Sequence, residues 1–360
     1  MDLVLFEFPH TKPLKYSSAD SDYSLQQLSA LQISTHDPEF QDVPLEILPA
    51  EVVRNLVSTV LAADCATENT LPSIAQKCPS AISSLQFRRE VFVTDRWLTS
   101  LPEFKHSLRR LELRGMLLLT DNCLPFIACA SQLVYLDLSY CSGLSSDGCQ
   151  FLSHLSNLQT LKLNGILRLD EEAMKSVSML TSLECLELSG CCNLDDSAVF
   201  HLSSLHNCRS LNVAHCFQLT DTSLCTALKA MNHLEIINVS YTKATDLLGT
   251  VLTLRSDKSQ ALQELYLSGT ALKDESTGWI QKLTELKVLH VSRCSVGDAF
   301  LRHIENLQQL VDLDMSYTLV SERGLVQYFG ENDRLQRLNL ENCSLVSDFA
   351  VEAGIAKLSQ

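Results

Sequence analysis

Along most of this chain, apolar residues return at the first, fourth, sixth, ninth and twelfth places of a frame about 25 residues long. In the stretch LECLELSGCCNLDDSAVFHLSSLHN these are Leu183, Leu186, Leu188, Cys191 and Leu194. An Asp pair follows, then a stripe of Ala198, Val199, Leu202 and Leu205. First places fall at Ile82, Leu108, Leu133, Leu158, Leu183, Cys208, Leu234, Leu262, Leu286, Leu310 and Leu335, so there are about eleven units. The period-two alternation at places four to six predicts a short strand whose leucines point inward. A polar turn should follow. The later stripe has helical spacing, as in Leu224, Leu228 and Met231. Thr120-Asp121, Thr220-Asp221 and Ser347-Asp348 supply N-cap pairs for such helices. Strand, turn and helix repeated in this way predict a curved α/β solenoid over residues 82–360, with parallel strands on the concave face and helices on the convex face.

The text ahead of the repeat is different. Residues 1–41 form an irregular N-terminal segment, with a polar stretch at Tyr16–Asp22 and a short amphipathic stretch at Ser24–Ile33. Residues 42–81 predict a helical N-terminal cap. Pro49 and Glu51 suit a helix start, and Val52, Val53, Leu56, Val57 and Val60 give its apolar side. A second helix, Leu71–Lys77, stops at Cys78-Pro79. An uncapped solenoid end would expose core leucines. The longest unit, from Leu234 to Leu262, holds an irregular insert, Leu254–Ala261, expected as a loop on the helical side.

With its ninth-place cysteines, the frame resembles the cysteine-containing subclass of leucine-rich repeats. That subclass occurs in ribonuclease-inhibitor-like proteins and in F-box/leucine-rich-repeat ubiquitin-ligase receptors. The resemblance covers about three quarters of the chain. It implies a non-catalytic protein-interaction module, a substrate receptor or adaptor in a ubiquitin ligase. The alternative is a scaffold or inhibitor that binds a protein partner with no ligase role. An F-box docks a ligase adaptor and opens with an LPxE-type helix start, here Leu48-Pro49-Ala50-Glu51. Residues 42–81 are therefore where a cullin-ligase adaptor would bind. No second Leu-rich helix with a Trp follows, and Asp64–Thr70 breaks the pattern. A plain cap is the competing reading.

Charge and chemistry narrow the function classes. A net charge of −15 and a pI near 5.1 argue against nucleic acid and against an anionic membrane surface as partners. No apolar run approaches the roughly 18–20 residues that span a bilayer. The start, MDLVLFEFPH, carries Asp2 and Glu7 where a secretory signal has Lys or Arg. Most of the fourteen cysteines sit at repeat-locked places, which points to a reducing compartment, cytoplasmic or nuclear. The sequons at Asn238 and Asn342 lie in or beside strands and are read as chance.

Cys141, Cys191, Cys216, Cys294 and Cys343 hold the ninth place, which Thr242, Thr270 and Thr318 fill elsewhere. Small hydrogen-bonding groups there can join neighbouring turns, so a structural ladder is expected. His206, Cys208, His215 and Cys216 do not converge in this register, and no CxxC pair exists, so no metal or cofactor is expected. Asp195-Asp196 reads as a dipole partner at a helix start. No nucleophile–base set declares itself, so no enzyme is expected. What remains is the outward face of the strands, places three, five and seven. Its candidate protein-binding residues are Arg110, Arg114, Tyr135, Asp137, Glu187, Ile236, Tyr266, His290, Asp312 and Asp314. Aromatic, aliphatic and charged groups mix there as on a protein-binding surface. Arg88, Arg110 and Arg114 lie toward one end, and Asp312, Asp314 and Glu341 toward the other.

Overall fold

A computed structural model describes residues 45–62, 66–87, 92–245, 248–249, 252, 262–328 and 334–347. The stretches 16–22, 24–33 and 254–261, and also Arg88 and Asp348, lie outside them. Among the described residues, eleven three-residue strands form one parallel sheet in strict chain order. They are β1 (Ser84–Gln86), β2 (Arg110–Glu112), β3 (Tyr135–Asp137), β4 (Thr160–Lys162), β5 (Cys185–Glu187) and β6 (Ser210–Asn212). The others are β7 (Ile236–Asn238), β8 (Glu264–Tyr266), β9 (Val288–His290), β10 (Asp312–Asp314) and β11 (Arg337–Asn339). Each begins two residues after a first place of the frame. Every strand lies in register with the next, so fourth-place residues stand opposite each other, as Leu136 to Leu161 and Leu186 to Leu211.

The core is one continuous column. Leu183, Leu186, Leu188, Cys191 and Leu194 are fully buried, as are Ala198, Val199, Leu202 and Leu205 behind them. Strands repeat about 4.8 Å apart, whereas packed helices need about 8–10 Å, so a stack of such units curves with the sheet inside. The return segments mix short α-helices with tighter turns. Asp221–Ala230 is α-helical, whereas Asp95–Phe104 and Asp274–Lys282 are 3-10 helices. Pro102 disfavours an α-helix in the first of these.

At the start of the described chain, α1 (Ala50–Ala62) and α2 (Thr70–Lys77) precede β1. α1 packs on β1, burying Val53, Leu56, Val57, Val60 and Leu61. Its Glu51, Arg54, Asn55 and Ser58 face solvent.

Two hydrogen-bond ladders tie unit to unit. At the ninth place the thiol donates to the sixth-place carbonyl of the preceding unit: Cys141 to Leu113 (3.0 Å), Cys191 to Leu163 (3.1 Å) and Cys216 to Leu188 (3.2 Å). Cys294 to Leu267 and Cys343 to Met315 repeat it. The threonines differ. Thr242, Thr270 and Thr318 donate to Val239, Leu267 and Met315 of their own units. The shorter hydroxyl satisfies itself within its own unit, and Thr270 and Thr318 also lie 3.6 Å from the thiols of Cys294 and Cys343 in the next one.

The second ladder runs along the helix starts. Thr120 and Thr220 cap their helices by accepting from Asn122 N and Thr222 N, as expected. The Asp after each cap serves the following unit instead. Asp121 accepts from Ser145 N (2.8 Å) and Oγ, Asp221 from Thr245 N (2.9 Å), and Asp298 from Ser321 N (2.8 Å) and Oγ. The Asp195-Asp196 pair thus has two separate tasks. Asp195 caps its own helix at Ala198 N, while Asp196 accepts from Thr220 N (2.9 Å), Thr220 Oγ1 and Ser223 Oγ (2.6 Å).

Burial raises the Asp196 pKa, but the donors of Ser223 and Thr220 together outweigh it and hold the carboxyl below its ordinary 3.8. A carboxyl lowered in this way adds stability above its unfolded pKa and loses it as pH falls through the folded one. Asp196→Ala should therefore cost about 1–3 kcal/mol at pH 7, with three donors left unpaired. The gap to the parent should begin to narrow below about pH 4 and go on narrowing as pH falls further, because the contribution of the ionised carboxyl is lost there. Chemical denaturation at pH 7 and pH 3 checks both.

Burial pushes the Cys191 thiol up to about 12 and Cys216 further still. Both should resist native-state labelling that the exposed Cys129 undergoes quickly. Cys216→Thr should cost less than about 1.5 kcal/mol, because Cys191 N still donates to Leu188 O. Timed alkylation with mass spectrometry and a thermal melt read these two outcomes.

Candidate protein-interaction face

The strand ends set what each face can present. At place five, an Asp or Asn side chain accepts the backbone N–H two residues on: Asp137 from Ser139, Asn212 from Ala214, Asn238 from Ser240, Asp314 from Ser316 and Asn339 from Glu341, all at 2.9–3.0 Å. This Asx turn lifts the chain out of the sheet. Asp137 is only 4% exposed, so its carboxylate works inside the fold rather than on the surface. Asp314 is similarly engaged, with a further bond from Ser316 Oγ at 2.7 Å.

Two aromatic clusters stand on the concave face. Tyr135 lies between cations, with the Arg110 guanidinium 3.5 Å and the Lys162 ammonium 5.9 Å from its ring centre. Each cation is itself paired, Arg110 with Glu112 and Lys162 with Glu187, both at 2.6 Å. Asn164 donates to the other Glu187 oxygen at 2.7 Å. Further along, Tyr266 meets His290 edge to face at 4.8 Å and donates its hydroxyl to Glu264 at 2.8 Å. Burial pushes both tyrosine hydroxyls up, with Glu264 adding to the effect at Tyr266, so both stay neutral. Between the clusters the face is smooth and half-buried, with Cys185, Ser210 and Ile236.

The expected charge at the two ends is largely cancelled within the face. Asp312 is held by Arg337 at 2.8 Å. His290 Nε2 lies 3.5 Å from Asp312, near enough for attraction, yet it makes no aligned hydrogen bond and is buried. Arg114 is displaced from the set, because its guanidinium sits 4.9 Å over the Tyr140 ring at the strand end.

Sequence reasoning missed that strand end. The eighth place has positive φ in ten successive units. Gly115, Gly165, Gly190 and Gly269 fill it without strain, but Tyr140, His215, Tyr241, Arg293, Tyr317 and Asn342 adopt φ of 56–62°. A side chain in this region costs roughly 1–2 kcal/mol. The signal was present as an alternation of Gly with Tyr, His, Arg and Asn at one register. The turns are also less polar than expected. At places ten and eleven Leu117, Leu118, Leu167, Phe217, Leu319 and Leu345 are exposed.

Among the described residues no group of three or more His, Cys, Asp and Glu side chains could hold a metal ion. His206 and Cys208 bond instead to the Ala230 and Ser210 carbonyls. None of the described helices is long and apolar enough to cross a membrane.

No protein-family model matches the chain, and no curated protein does. Solved structures do. The chain is similar to an internalin from Listeria monocytogenes (TM-score 0.55, 17% identity, 81% of this chain and 92% of that one). It is also similar to Rad7 in the yeast complex of Rad7 and Elc1 (TM-score 0.53, 16% identity, 94% and 91%). A third is TLR13 in a complex with ssRNA13 (TM-score 0.52, 20% identity, 84% and 44%). Together with the eleven-stranded parallel sheet, these likenesses give the chain the fold of a curved leucine-rich-repeat solenoid.

Proposed function

We propose that this chain is a non-catalytic protein-interaction module whose concave strand face receives a protein partner. The observation that carries the reading is the pair of preordered aromatic clusters at Tyr135 and Tyr266. Aromatic side chains held in place by neighbouring cations or rings lose little freedom on binding and make good anchors. Ile236 and the small residues between them leave room for apolar contact. Arg110, Glu187 and Asp312, already paired within the face, would orient the partner more than they bind it.

The finer reading is a substrate receptor or adaptor in a ubiquitin ligase. The cysteine-ladder subclass of the repeat supports it, as does the likeness to Rad7, whose structure is a complex with Elc1. The second reading, a scaffold or inhibitor without a ligase, is favoured by α1. Most of its apolar stripe is buried against β1, as in a cap over the first unit, and what it exposes is mainly Ala50, Glu51, Arg54, Asn55 and Ser58. Cytoplasmic or nuclear residence accords with both readings.

Crosslinking pull-down with the full chain should recover a partner whose affinity falls about 30-fold, roughly 2 kcal/mol, in Tyr135→Ala and in Tyr266→Ala. The melting temperature should stay within a few degrees. Unaltered affinity in both variants would remove the concave face as the site. Mixing the purified full chain with a cullin adaptor separates the ligase readings. Co-elution on gel filtration supports the receptor, and separate elution leaves the scaffold or inhibitor.

A further inference from the structure

The ends of the strands make a second surface, distinct from the concave face. Ten consecutive turns, places eight to eleven of each unit from 115–118 to 342–345, line one edge of the solenoid. They contain Arg168, Lys243, Arg293 and His215 but no Asp or Glu, in a chain that carries 43 acids against 28 Lys and Arg. The acids that begin just beyond the turns, such as Asp121, Asp196, Asp221 and Asp298, are held by the backbone N–H groups of the next unit. Glu341 closes the row at its C-terminal end, where it accepts from the Tyr317 hydroxyl at 3.2 Å.

The middle of this edge is an aromatic platform. His215 and Tyr241 stack in parallel, with ring centres 4.5 Å apart and planes 10° from each other. Phe217 stands edge-on to His215 at 5.9 Å and is 51% exposed. Lys243 is exposed beside them. Tyr241 also covers Gly269, where an added Cβ would meet the ring at 2.5 Å. A second aromatic–cation unit follows, with the Arg293 guanidinium 3.9 Å over Tyr317.

Two independent facts point to a ligand. Glycine meets the turn geometry at four of the ten eighth places, so Tyr and His at the others are not demanded by the fold and are strained there. Exposed apolar and cationic groups, in turns that themselves hold no Asp or Glu on an otherwise acidic molecule, are complementary to an acidic, apolar partner. Three Lys and Arg spread over ten turns neutralise too few phosphates to hold a nucleic acid strand.

We infer that this edge, centred on His215, Phe217, Tyr241 and Lys243, docks an extended peptide segment of a partner protein in which acidic residues alternate with aromatic or aliphatic ones. The rings take up the apolar side chains, and Lys243 and Arg293 face the carboxylates.

The test uses the full chain and a display library of twelve-residue peptides. Asp or Glu is fixed at alternate positions, and Phe, Tyr, Trp, Leu and Met are randomised between them. A matched library with Lys and Arg fixed and a random single-stranded RNA pool are selected in parallel. Peptides from the acidic library should enrich and bind with an affinity that weakens as salt rises. Their binding should drop at least tenfold in Tyr241→Gly and in Lys243→Glu. The glycine variant should melt within a few degrees of the parent, because it removes strain along with the ring, and this separates lost contact from lost fold. Tyr135→Ala on the concave face should leave this binding unchanged, so the two surfaces succeed or fail separately. Enrichment of the basic library or of RNA instead overturns the proposal. So do failure of any acidic peptide to enrich and equal binding by the variants.

Discussion

Each unit of this molecule can bury its leucines only against the units beside it. Leu186 and Leu188 have no other shelter, because a three-residue strand and a return of one or two helical turns enclose nothing alone. Everything else follows from the need to hold neighbours in register. Backbone bonds align the strands, thiols cross from ninth-place turns to preceding carbonyls, and helix-start carboxylates reach forward to the next cap. The cysteines and many of the helix-start aspartates therefore serve cohesion. That leaves the concave strand face and the strand-end edge as the places where side chains are spared for other work.

The repeat makes the architecture legible in the amino-acid sequence. Leucines at places four and six are inward in every strand, and the one-strand-per-unit rule holds from Leu85 to Leu338. What could not be read was which polar groups were already engaged. Asp137 and Asp314 look in sequence like any outward strand residue, and only the turn that follows shows their carboxylates closed on Ser139 and Ser316. Arg110 and Asp312 looked like opposite poles of a charged face. Each instead has a partner on the face, two residues away in Glu112 and one unit away in Arg337. Pairing across units depends on a lateral spacing that a linear text does not display. The left-handed eighth place was visible in principle, since Gly165 and Gly190 occupy the register of Tyr140 and His215.

The two surfaces have different characters. The concave face is half-buried, internally paired and largely smooth at its centre, which suits a folded partner of complementary curvature. The edge carries a row of exposed rings braced by one another and by cations from turn to turn, which suits a thin, extended chain. A molecule with both could hold a domain and its tail at once, with an apparent affinity set by the length of chain between them.

The carboxylate ladder also gives the stack a direction. Asp121, Asp196, Asp221 and Asp298 each reach toward the C-terminus, so the donor always belongs to the later unit. Peeling a unit from the C-terminal end strands a carboxylate, which water solvates readily at the rim. Peeling one from the N-terminal end instead bares the cap of the unit behind it, with a backbone N–H and a hydroxyl both losing an ionised acceptor. The two ends of the ladder are thus chemically unlike, one showing an acceptor and the other its donors, although every unit between them is built to the same plan.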